Sequence, residues 1–279
     1  MMLELAIGDA YGSGFEFAEK GFIRKNNNLK SYYKHRKCNI LPGCYTDDAQ
    51  MSIAIAELLM GEKEWDCFKI ASKFVEAFKR DEREGYSSGF YLLLKCVNDG
   101  AELIARLNPN SRKNGAAMRA CPIGILPDLE KVKLYAAMQA EVTHDSHEGI
   151  TSAMASALMP HYFTYKLGKK KDLGEFIAGN VEGDWGKAWK GEVSTNAEEA
   201  VRAAITAIAR GASLSSILKR SIAFGGDVDT VATIAMAAAS CCDEVRKDIP
   251  KNLVDGLENG DYGKGYLLGL DKDLFKLRV

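Results

Sequence analysis

Along most of the chain, apolar residues recur at three- and four-residue steps, the spacing that gathers them on one face of an α-helix. Segments 47–60, 64–80, 87–106, 131–141, 147–160, 173–179, 196–210, 214–221 and 229–242 all follow this pattern. Several are rich in alanine, as in the runs AITAIA and ATIAMAAAS. Small side chains of that kind let helices approach closely around a buried core. Alternating strand-like runs between Gly-rich hairpin turns are scarce. Pro42, Pro122, Pro127, Pro160 and Pro250 fall near expected helix ends, where a missing N–H does least harm. No linker rich in Gly, Ser or Pro interrupts the pattern, and no internal repeat is present. The expectation is one all-α domain over residues 1–279.

Composition narrows this further. A chain of 279 residues is long enough to bury a core without covalent staples. Its seven cysteines are odd in number and contain no CxxC pair, which argues against a disulfide framework and a structural zinc site. The N-terminus, MMLELAIGDAYG, lacks a positively charged leader, and no run of about 18 apolar residues occurs. A cytoplasmic protein with no membrane span is expected, with a monomer as the default. Net charge is −1, and the densest basic tract, Lys166 with Lys169, Lys170 and Lys171, reads as a solvated loop. Extended nucleic-acid binding is therefore not expected.

Candidate chemistry concentrates in two short acidic segments. Tyr45-Thr46-Asp47-Asp48-Ala49-Gln50 runs into the apolar stretch MSIAIAELLM, and Gly225-Gly226-Asp227-Val228-Asp229-Thr230 runs into VATIAMAAAS. Thr and Asp are good helix N-caps, and acids in a first turn complement the helix dipole. A cap, however, needs one side chain in water, whereas each segment carries two carboxylates and a hydroxyl beside a helix apolar enough to be buried. If the segments meet, four carboxylates repel one another unless cations neutralise them. Two divalent ions would balance that charge, and an all-oxygen donor set favours Mg²⁺ or Mn²⁺ over Zn²⁺.

Other segments carry weaker signals. Gly8-Asp9-Ala10-Tyr11-Gly12-Ser13-Gly14-Phe15-Glu16 reads as a Gly-rich turn after a short apolar helix, with Asp9 as a structural hydrogen-bond partner. Glu16, on that glycine-hinged loop, suits a general acid or base. The loops around Gly85 and Gly115 feed helix starts whose free N–H groups suit phosphate, although ordinary turns explain them equally well. His144 and His147 have no third ligand at a zinc-like spacing, and His35 and His161 stand in no informative context.

Taken together and in order, GDAYG, YTDDAQMS, NGAAMR, THDSHEG and GGDVDT resemble the motifs of the ADP-ribosylglycohydrolase family. The resemblance implies an all-helical fold and a dinuclear Mg²⁺ or Mn²⁺ site with Thr46, Asp47, Asp48, Asp227, Asp229 and Thr230 as ligands. It implies an ADP-ribosylated protein or small molecule as substrate and ADP-ribose as product, with attack by water assisted by Asp48 or Glu16. Glu16 matches a mobile flap, Gly85, Tyr86 and Ser87 a phosphate loop, and Asn114, Gly115, Ala116 and Met118 the loop beside the distal ribose. His144 matches a residue near the substrate. The chain departs from the pattern at Ala49 and Val228, where threonine is usual, and in a short N-terminus that lacks most of the helix preceding GDAYG. Two other readings remain: a non-catalytic ADP-ribose binder or toxin-immunity protein, and a two-metal phosphohydrolase.

Overall fold

The structure is a computed structural model and describes residues 1–61 and 64–278. Among them lie fifteen α-helices. The first six are α1 (Met2–Ser13), α2 (Lys20–Asn26), α3 (Asp47–Gly61), α4 (Cys67–Arg80), α5 (Ser88–Cys96) and α6 (Gly100–Arg106). Then follow α7 (Gly115–Met118), α8 (Leu129–His144), α9 (His147–Thr164), α10 (Leu173–Ala178) and α11 (Ala197–Arg210). The last four are α12 (Leu214–Ala223), α13 (Val228–Ser240), α14 (Lys251–Gly256) and α15 (Lys264–Leu274). No β-strand forms among the described residues, and no helix is long and apolar enough to cross a membrane. All seven cysteines are free.

At the centre, α13 is buried from Val228 to Ala239 and packs against α1, α9, α11 and α12. Its alanines allow this: Ala232, Ala235, Ala237, Ala238 and Ala239 are fully buried. The N-terminal segment differs from the expected short helix and loop. Helix α1 runs through Gly8 and Gly12 as far as Ser13, and it lies along α13. Glycine inside a helix ordinarily costs about 1 kcal/mol relative to alanine. Here contact between the helices requires it, because a Cβ on Gly8 would lie 2.5 Å from the Ala232 carbonyl oxygen.

Outside this centre the predicted helices form with small shifts, set mainly by caps. Asp66, Asp128, Ser146, Asn196 and Ser213 each accept a backbone N–H at a helix start, a contact worth about 1 kcal/mol. Two expectations fail. The periodic stretch 87–106 is two helices, because Asp99 caps α6 by accepting the Glu102 N–H at 2.9 Å. Pro160 lies inside α9, away from its end. The carbonyl four residues earlier, on Ser156, loses its helical donor to the proline and receives the Cys121 Sγ–H at 3.8 Å. Helices α2, α7, α14 and α15 had no signal in the periodicity.

Candidate active site

Helix α1 draws the two acidic segments together. Asp9, buried on α1, accepts the backbone N–H groups of Thr46 and Ala49, both at 2.9 Å, and so caps α3 from outside its own chain segment. Three residues along, Gly12 meets the start of α13, where a Cβ would lie 2.4 Å from Asp229 Cα. One helix therefore fixes the first turn of α3 to the first turn of α13, and Asp47 and Asp48 face Asp227 and Asp229 across a shared cleft. The neighbouring loop is equally tight. Gly85 has φ +115°, and a Cβ there would lie 2.2 Å from Asp47 Oδ1.

Burial, and then the other acids, push the carboxyl groups of Asp47, Asp48 and Asp229 well above the usual range. Burial also raises Asp227, and it raises Asp9 to about 6 against the hydrogen bonds it accepts. Among the described residues, no Lys, Arg or His side chain forms an ion pair with Asp47, Asp48, Asp227 or Asp229. Asp48 Oδ2 and Asp9 Oδ1 are buried without a hydrogen-bond partner. Unpaired buried carboxylates of this kind are strongly unfavourable alone and fit a divalent cation. Glu16, Asp227 and Asp229 offer carboxylate oxygens within 4.8 Å of one another, a compact all-oxygen donor set. Thr230 donates its backbone N–H to Asp229 Oδ1 at 3.0 Å, and the Thr46 hydroxyl accepts the Asp48 N–H at 3.3 Å.

Glu16 has a partner that periodicity and motif reading missed. The His35 imidazole, buried, meets the Glu16 carboxylate through Nε2. Its Nδ1 accepts the N–H groups of Lys37 at 3.0 Å and Cys38 at 2.8 Å, which leaves Nε2 to donate to Glu16. No sequence pattern marks this role, since it depends on how the 35–40 loop folds back.

The acids line a cleft of about 430 Å³. Of the expected substrate residues, Gly85, Tyr86, Ser87, Asn114, Gly115, Met118 and His144 line it. Ala116 does not: it is fully buried, and its carbonyl accepts the Gln139 side chain at 3.0 Å. Asn114 orients an acid as well as lining the wall, donating from Nδ2 to Asp227 Oδ2 at 3.0 Å. Tyr86 donates to Gln50 Oε1 at 2.6 Å, fixing the 85–87 loop to α3. Three isolated backbone bridges, Asn110 with His144, Lys113 with Asn196 and Val193 with Gly226, pin the surrounding loops to one another. The cleft is also lined by apolar and cationic side chains, Phe90, Leu93, Leu107, Arg106 and Lys113, none of which stood out in the sequence.

Fold and site together define an all-helical protein with an acid-floored ligand cleft. The model of the ADP-ribosylglycohydrolase family matches residues 1–279, and the chain belongs to that family. It is similar to the ADP-ribosyl-dinitrogen reductase glycohydrolase of Rhodospirillum rubrum, 25% identical over 92% of this chain and 88% of that protein. ADP-ribosylhydrolase ARH3 of Bos taurus is 28% identical over 50% of this chain. The match spans only 40% of that ARH3's length. ADP-ribosylarginine hydrolase Tri1 of Serratia proteamaculans is 22% identical over 61% of this chain and 48% of its own. A solved structure described as an ADP-ribosylglycohydrolase-related protein complex superposes with a TM-score of 0.74. It shares 20% identity over 100% of this chain and 96% of its own, a likeness of fold.

Proposed function

We propose that this chain is a metal-dependent hydrolase that releases ADP-ribose from a modified acceptor. The observation that carries the reading is the convergence of Asp47, Asp48, Asp227, Asp229 and Glu16 on one cleft, with no basic side chain among the described residues paired to the four aspartates. Thr46, Asp47, Asp48, Asp227, Asp229 and Thr230 would hold two Mg²⁺ or Mn²⁺ ions. When bound, such ions supply the positive charge that lets these carboxylates share one site and that polarises ribose hydroxyls.

The chain's own groups do the rest. Hydrolysis breaks the bond between the anomeric carbon and the acceptor atom and joins that carbon to a water oxygen. One water proton stays on the new hydroxyl at that carbon, the departing acceptor takes one proton from a carboxyl group, and the other water proton passes to a carboxylate. Asp48, whose Oδ2 is buried and unpartnered, is the base for this proton. Glu16, held by His35 at the cleft wall, stands ready to protonate the leaving atom or share the base role. Helix α5 opens on the cleft with no side-chain cap, so its N–H groups remain for the diphosphate. Phe90, Leu93 and Leu107 give the adenine an apolar wall.

Asp229→Ala tests the assignment. Isothermal titration should show loss of Mn²⁺ binding, and turnover should fall with it. Full activity in that variant would overturn the metal site.

A further inference from the structure

In the cleft wall lies a buried cation that the reaction above does not use. Arg119 is 1% exposed and packs over the Phe74 ring at 4.2 Å. Burial draws its guanidinium down to about 9, so it remains charged at neutral pH, yet no carboxylate pairs with it among the described residues. Its partners are neutral. Nε donates to Gln139 Oε1 at 2.6 Å, and Nη2 donates to the Gln139 carbonyl at 2.9 Å and to Thr143 Oγ1 at 2.8 Å. The Gln139 amide is oriented without ambiguity, because its Nε2 donates to the carbonyls of Ala116 at 3.0 Å and Ala136 at 3.2 Å.

The same logic propagates outward. A guanidinium only donates, so Thr143 Oγ1 accepts from Arg119 and its own proton needs an acceptor. Thr143 is buried, and its other partner is His144 Nδ1 at 2.6 Å. Nδ1 therefore accepts, and the imidazole proton resides on Nε2. Burial, with Arg119 and Lys113 nearby, pushes His144 down to about 3, so the ring is neutral. The ring lies against Gly115 on the cleft wall.

We infer that Gln139, Arg119 and Thr143 form a relay of positioning residues that locks His144 as its Nε2–H tautomer, presenting one hydrogen-bond donor to an anionic oxygen of the ligand. The tautomer follows from the hydrogen bonds alone; that the donor meets ADP-ribose rests on the function proposed above.

The test is ¹H–¹⁵N NMR of the histidine-labelled full chain, with the resonance of His144 assigned from an H144N variant. Wild type should show an acceptor-type Nδ1 and a protonated Nε2. T143V, which removes the hydroxyl, should release the lock and give the other tautomer or a mixture, while T143S should restore the wild-type pattern. In parallel, T143V should bind ADP-ribose about tenfold more weakly by calorimetry, with T143S near wild type. A proton on Nδ1 in wild type would overturn the relay, and so would a T143V spectrum identical to wild type. If T143V does not fold, the wild-type tautomer alone decides. Wild type that shows the expected tautomer but binds no ADP-ribose would leave the relay standing and remove the functional reading.

Discussion

Gly12→Ala probes the contact that assembles the site. The added Cβ would lie 2.4 Å from Asp229 Cα and 2.9 Å from its backbone nitrogen. Carbon atoms in contact sit about 3.5–4.0 Å apart, so α1 and α13 must separate by roughly 1 Å. Overpacking of this kind costs about 1–3 kcal/mol, against which alanine's helix preference returns up to about 1 kcal/mol. The net loss of about 1–2 kcal/mol should lower Tm by roughly 2–8 °C in a chain of this size. A functional loss should accompany it. Metal–ligand distances tolerate only about 0.2 Å, so moving Asp229 by about 1 Å relative to Asp48 should weaken Mn²⁺ binding at least about tenfold. Calorimetry in EDTA gives the first quantity, and titration of free Mn²⁺ by electron paramagnetic resonance gives the second. Gly21→Ala is the control: it lies in α2 with nothing within 4 Å of the new Cβ, and it should leave metal binding unchanged. A Gly12→Ala protein with wild-type Tm and wild-type Mn²⁺ affinity would refute the reasoning.

Further outcomes follow from the same geometry. Asp9→Ala strands the N–H groups of Thr46 and Ala49, and the loss of two charge-assisted hydrogen bonds should destabilise the fold by about 3–5 kcal/mol, read by urea unfolding. Burial and mutual repulsion raise the site carboxyls above their unfolded value of about 3.9, with Asp9 at about 6. Groups with raised pKa favour the fold while protonated, so in EDTA Tm should fall as pH rises from about 5 to about 7, and excess Mg²⁺ should flatten that fall. A Tm that climbs over this range in EDTA would contradict the burial of unpaired acids. His35→Ala frees Glu16, and turnover should drop about 10- to 100-fold while Mn²⁺ affinity stays within about threefold; an unchanged turnover would remove His35 from the mechanism.

The sequence was most informative where chemistry and periodicity coincide. Asp47–Asp48 and Asp227–Asp229 could be picked out because paired acids at the head of an apolar helix are costly without a purpose. Their meeting could not be read, because it depends on Gly8 and Gly12, which look like loop glycines along the chain and prove to be helix contacts with α13. Asp9 appeared as a structural hydrogen-bond partner, and it accepts two N–H groups, but nothing local indicated that those donors lie thirty-seven and forty residues away. Pro160 illustrates a different limit: it sits inside α9, where the carbonyl it leaves without a helical donor, on Ser156, meets Cys121, a residue distant in the chain. Ala116 shows that a motif's residues need not all face the ligand, since its side chain is buried beneath the loop that Asn114 and Gly115 present. Phe90, Leu93 and Leu107 read as ordinary apolar positions, because one wall of a cleft has no signature in a single helix's pattern.

The central claim is metal-dependent release of ADP-ribose. The most direct measurement incubates the chain with arginine-linked and serine-linked ADP-ribosylated peptides, in Mg²⁺, in Mn²⁺ and in excess EDTA, and quantifies free ADP-ribose chromatographically. The account predicts release from at least one substrate with a divalent ion present and none in EDTA. Equal release in EDTA, or no release from either peptide together with ADP-ribose binding that survives EDTA, would contradict it.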